Sequence, residues 1–349
     1  MELVELTNDT QTTPGATGAP PGASPSTGWR RTFGIGVGLA LLVGVLVTAF
    51  AWPPAESAPR DVPVAVVGPA EAMAQLERQV AEVMPNALEF QHAADVEAAR
   101  QLIQDRDVYG AVVLEPTEPP RVLIASAGGP VVAQILTGIA GQLAEGGGAP
   151  IRGPEVEDVV PLSGEDPRGS VFTAAALPMV LGGMVIGILM SFLVTGMRRR
   201  IVGALIAAVA AGWVVTLVTQ TWLGAIGGDA WINAGAVGLV VTAISLTMIG
   251  LVAVIGPAGI GIGAVTMFLV GNSLSGVASA PQMLPTALGT LGQFLPAGAG
   301  GTLLRSTGYF DGAGAGRPVL TLVAWVVAGL TLAVLGGRLR PASRNALVG

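Results

Sequence analysis

Five apolar stretches without a charged residue crowd the second half of this chain, and a sixth stands alone near its start. They run over residues 171–195, 201–222, 232–255, 257–279 and 318–336, with the lone one at 33–51. A helix rising about 1.5 Å per residue needs about 20 apolar residues to cross a hydrocarbon core about 30 Å thick. Each stretch is near that length. The pattern predicts a polytopic α-helical membrane protein with six transmembrane helices in a one-plus-five layout. The polar segment 53–170 then forms a small extracytoplasmic α/β domain between the first two.

Charge orients the chain. Arg30 and Arg31 precede the first stretch, Arg198, Arg199 and Arg200 lie between the second and third, and Arg338, Arg340 and Arg344 follow the last. The positive-inside rule places all three clusters in the cytoplasm, and six crossings give the same answer. Segment 53–170 carries 18 Asp/Glu against 7 Arg, consistent with export. Trp29 and Trp52 bracket the first helix, and Trp222 and Trp231 bracket the third-to-fourth loop, as in an interfacial aromatic belt.

The expected organisation follows from these boundaries. Residues 1–29, rich in Pro, Gly, Ser and Thr, are a disordered cytoplasmic tail. Residues 30–52 are an uncleaved anchor. Residues 171–338 are a five-helix membrane domain, and 339–349 a cytoplasmic tail. Within it, 281–317 is broken by Pro281, Pro285 and Pro296 yet too apolar for a free loop, so it is expected to be re-entrant or interfacial at the outer face. In the outer domain the pattern predicts strands over 62–67, 88–91, 108–114 and 121–125, and helices over 70–83, 96–104 and 131–144.

Composition removes whole classes of chemistry. There is no cysteine, so disulfides and thiol catalysis are excluded. There is one histidine, His92, with no metal-ligand spacing around it. There is no lysine, so no Walker A phosphate loop. No catalytic constellation, cofactor motif or basic nucleic-acid stripe is found, and the expectation is a non-enzyme with no cofactor in this chain. The five later stretches hold no ionisable residue, which argues against an ion-driven carrier. Asn272 is the most conspicuous polar residue among them. Arg305 and Asp311 flank Tyr309–Phe310 in the outer segment. Asn272, Arg305, Tyr309 and Asp311 are therefore the candidate pore or gate residues.

Several strings carry a resemblance: PVAVVG (63–68), DVYGAVVLEP (107–116), DVVPLSGEDPRG (158–169), ALPMVLGG (176–183) and LPAGAGGTLLRSTGYFDG (295–312). With the layout, they make the chain resemble type-2 ABC transporter permeases that carry an external domain after helix one. They are also similar to the phage-infection-protein-like (YhgE/Pip) membrane proteins. The resemblance implies a homodimeric or heterodimeric membrane subunit that exports a lipid, drug or polymer with a separate ATPase, in the plasma membrane of a bacterium with both termini cytoplasmic. In that family the second-to-third loop contacts the ATPase. Here it is Gly196–Met197–Arg198–Arg199–Arg200, making Arg198, Arg199 and Arg200 the candidate partner contact. The alternative is a non-transporting surface or secretion-complex protein whose external domain is a binding module.

Overall fold

The computed structural model describes residues 28–115, 119–146 and 155–339. Most of the two expected cytoplasmic tails, 1–27 and 340–349, lies outside the described residues. The chain divides into two units, Met1–Leu46 and Val47–Gly349. Helix α1 (Trp29–Ala55) carries the described part of the first unit, and up to Val45 every residue is exposed. A helix apolar on all sides is stable where lipid or other protein covers it.

In the second unit the sheet domain runs β1 (Val62–Val67), α2 (Ala70–Val83), β2 (Leu88–His92), α3 (Val96–Gln104), β3 (Gly110–Val113), β4 (Arg121–Ile124), α4 (Pro130–Gly146) and β5 (Glu155–Asp158). The sheet order is β2-β1-β3-β4-β5. β1 is parallel to β2 and β3, β3 is antiparallel to β4, and β4 is parallel to β5. Alternation along the strands builds two cores. Val64, Val66, Val112 and Val122 face α2 and α4, while Ala65, Val67, Ala111 and Val113 face α3. Asp95 caps α3 by accepting from the Ala98 N–H at 2.8 Å.

The remaining helices are α5 (Ser170–Leu193), α6 (Met197–Trp222), α7 (Ala230–Ile255), α8 (Ala258–Ser273), α9 (Thr286–Gln293), α10 (Pro296–Tyr309) and α11 (Gly316–Leu339). Five helices, α1, α5, α6, α7 and α11, are long and apolar enough to cross a membrane. The protein is membrane-embedded. α7 is its central post: fifteen of its residues are buried, with α5, α6 and α11 packed around it. Close approach depends on small residues. A Cβ at Gly187 of α5 would stand 2.7 Å from the Ser245 carbonyl oxygen of α7.

The stretch expected to span at 257–279 is shorter than that. α8 covers 16 residues, about 24 Å of helix. The chain leaves helical geometry at Leu274, and Gly276 adopts φ +66°, which no right-handed helix accommodates. The chain then turns through a short 3-10 helix, Pro281–Met283, and forms the hairpin of α9 and α10. Twelve of the fourteen residues of α10 are buried. Its Gly300 packs on Val240, ten residues and therefore about 15 Å along α7 from its start. The run PAGAGG lets this short helix lie against α7.

The same segment reaches into the sheet domain on both sides. Ala280 and Met283 join the core under α2 and α4, and Phe310 joins the core under α3. Backbone bonds add to this: the N–H groups of Ala58 and Arg60 donate to the carbonyls of Met283 and Gln282 at 3.1 and 3.0 Å. The sheet domain and the segment that leads into the bundle thus share their apolar cores.

Candidate functional site

Because β1 follows directly on the segment 56–61, its first residues sit at the end of the sheet nearest the hairpin. β3 is parallel to β1, so its entry lies at the same end. Ala65 pairs with Ala111, and five positions back from each stand Arg60 and Arg106, each followed by an aspartate, Asp61 and Asp107. Asp61 and Arg106 both take left-handed backbone, φ +49° and +65°, as the chain turns into the strands.

Below this end of the sheet is a cavity of about 540 Å³. Arg60, Arg106, Arg305 and Arg317 all line it, with Asp61 and Asp107. Its floor comes from α9, α10 and the first turns of α11, through Gln293, Thr302 and Thr321. Gln293 organises that floor: it accepts from Thr302 Oγ1 at 2.6 Å and donates through Nε2 to the Ser275 carbonyl at 3.0 Å.

The arginines are held by neutral groups. Arg305 is 6% exposed; its Nη2 donates to the Val277 carbonyl at 2.9 Å, and its guanidinium lies 4.9 Å from the Phe172 ring centroid. Arg106 donates through Nη1 to the Thr302 carbonyl at 3.1 Å and to Ser306 Oγ, and stacks over Phe310 at 5.0 Å. Burial disfavours its charge and pushes its pKa below the ordinary arginine value. Arg60 donates to the carbonyls of Glu56, Ala58 and Met283, each at 3.1 Å. Among the described residues the ion pairs are His92–Glu77, Arg100–Glu97, Arg100–Glu157 and Arg121–Glu115, so none of the four cavity arginines is in one. Asp61 and Asp107 are exposed at the rim. Tyr109 Oη donates to Gln282 Oε1 at 2.8 Å across the wall, and burial raises its pKa above the ordinary tyrosine value.

The residues singled out from sequence divide among three places. Arg305 lines the arginine cavity. Tyr309 and Asp311 line a neighbouring hollow of about 680 Å³ between the 159–163 strap and the 224–227 loop. Tyr309 is fixed there, its Oη donating to the Ala225 carbonyl at 2.6 Å. Asn272 lines neither; it is half-buried near the end of α8, where its carbonyl accepts from Ser275 Oγ at 2.8 Å. Arg198, Arg199 and Arg200 occupy the first turn of α6, at the opposite end of α5 from the cavity. Arg198 and Arg199 are exposed, while Arg200 Nε donates to the Val194 carbonyl at 2.7 Å.

Arg60, Arg106, Tyr109 and Arg317 escaped the sequence reading. The available signal was the Arg-Asp dipeptide repeated before two apolar strand runs, at 60–61 and 106–107. It gains meaning only with the parallel register. Comparison with family models, with curated proteins and with solved structures finds no match for this chain.

Proposed function

We propose that this protein is the membrane-spanning, permease-like subunit of an exporter, driven by an ATPase on a separate chain. The observation that carries the reading is the shared core: Met283 and Phe310 of the re-entrant segment are built into the two faces of the outer sheet. A domain joined in this way moves with the bundle. The arginine cavity at the joint is then a substrate station on the outer side.

In this reading α8 completes a sixth crossing with the help of the 274–280 segment. The sheet domain is extracytoplasmic and the Arg198–Arg200 turn is cytoplasmic, in a bacterial plasma membrane. Three arginines in the first turn of α6 oppose the helix dipole, so their placement answers to the membrane and to a partner rather than to helix stability. A dimer is the expected assembly.

A second reading is a non-transporting component of a surface or secretion complex. It is favoured by the shortness of the candidate cytoplasmic connections, 194–196 and 256–257. A mild-detergent pulldown of the tagged protein from its own host, followed by mass spectrometry, separates the two. A stoichiometric nucleotide-binding subunit, lost when Arg198, Arg199 and Arg200 are replaced by Ala, supports the exporter. Extracytoplasmic partners without an ATPase support the second reading and sink the first.

A further inference from the structure

We propose that the cavity between the N-terminal ends of β1 and β3 and the α9–α10 hairpin is a binding site for a phosphate-type oxyanion. The outer segment 53–170 is strongly acidic, yet the cavity wall gathers four arginines and only two aspartates, an excess of two positive charges. Those aspartates stand at the exposed rim, and among the described residues no carboxylate lies within ion-pair distance of the four guanidiniums.

Burying an arginine without a counter-charge is costly, and natural proteins pair such groups. Arg305, deep in the wall, has a carbonyl and an aromatic face instead. An incoming anion would be the missing partner for Arg305 and Arg106 together.

The donor set points to phosphate. Planar guanidinium forks match phosphate oxygens two at a time. The hydroxyls of Thr286 and Thr321 add neutral donors around the same space, while that of Thr290 is already given to the Thr286 carbonyl at 2.9 Å. Two or more guanidiniums with hydroxyls offer more hydrogen bonds than one carboxylate accepts. The volume of about 540 Å³ takes a phosphate with its ester substituent. The lining also continues down the first turns of the membrane helix α11, through Pro318 and Thr321. A phospholipid headgroup and a soluble phosphate ester share this chemistry.

The site stands independently of an ATPase partner, so failure of the pulldown leaves it untouched. The test is thermal unfolding of the full chain, followed by tryptophan fluorescence. One arm uses phosphatidylcholine nanodiscs with and without phosphatidylglycerol. The other titrates inorganic phosphate against chloride at matched ionic strength. The expected result is a saturable rise in Tm with at least one probe, weakened at least tenfold in apparent affinity by Arg106→Gln and by Arg317→Gln. Arg317 is exposed, so its variant folds even if Arg305→Gln does not. A response to phosphatidylglycerol alone assigns a lipid headgroup; a response to inorganic phosphate assigns a soluble ligand. No saturable response, an equal response to chloride, or a response unchanged in both variants overturns the proposal.

Discussion

The guanidinium of Arg106, in the sheet domain, lies 5.0 Å from the ring centroid of Phe310, the residue that ends helix α10. Phe310 is 6% exposed and sits in the core between α3 and the sheet. One aromatic side chain thus closes a domain core and receives a cation from that domain. Phe310→Ala removes both, and large-to-small changes at such sites cost about 3–5 kcal/mol. The expected outcome is a large fall in Tm, with the outer domain cleaved by protease at concentrations that spare the wild type. Proteolysis unchanged from wild type would mean that the contact does not hold the domain.

Tyr109 and Gln282 make a second bridge, and its two halves are separable. Gln282→Leu leaves the part-buried Tyr109 hydroxyl without its protein partner, which costs at most about 1–3 kcal/mol. Removing both polar groups, in Gln282→Leu with Tyr109→Phe, costs less than the single change. Equilibrium unfolding of the two variants and of Tyr109→Phe completes the cycle. Additive losses would show that the hydrogen bond is not coupled.

Asp166 explains part of the DPRG string. It is 2% exposed and accepts from the Ser170 N–H at 2.8 Å and hydroxyl at 2.9 Å, and from the Val171 N–H at 2.9 Å. These are donors left open at the start of α5, the helix that first enters the bundle after the outer domain. Asp166→Ala is expected to lower stability by about 0.5–2 kcal/mol, the range for a lost cap. A Tm equal to wild type would contradict that role.

Arg100 of α3 grips Glu157 of β5 with both guanidinium arms, one bond being 2.6 Å. The hydrogen bond from Arg100 holds the Glu157 pKa below the ordinary glutamate value. A depressed carboxyl contributes stability above its unfolded pKa, about 4.3, and loses it as pH falls through the folded value. Unfolding followed from pH 7 to pH 3 is therefore expected to show an acid-dependent loss that is slightly larger in the wild type than in Arg100→Gln. The pair is partly exposed, so screening keeps the effect modest. An identical pH profile in the variant would contradict it.

The apolar runs made the membrane helices and the strands of the outer domain legible, because continuous hydrophobicity over 20 or over 5 residues has few structural solutions. Val62–Val67 and Ala70–Val83 fall where their patterns predict. β5 was invisible: Glu-Val-Glu-Asp at a sheet edge carries no apolar run. The break at Gly276 was hidden inside an apolar stretch, where hydropathy does not distinguish a helix from an irregular strap. Of the candidate site, only Arg305 was identified. Its companions Arg60, Arg106 and Arg317 are far apart in sequence and meet only when β1 and β3 run parallel above the hairpin.

Because the chain has no cysteine, single cysteines report membrane sidedness without background. Glu165, in the strap leading into α5, and Arg198, in the first turn of α6, are both exposed, and α5 lies between them with 24 residues, about 36 Å. The account requires them on opposite faces of the membrane, with the sheet domain and its arginine cavity outside. A membrane-impermeant maleimide applied to intact cells is expected to label Glu165→Cys at once and Arg198→Cys only after lysis. Labelling of Arg198→Cys in intact cells, or protection of Glu165→Cys until lysis, would contradict it.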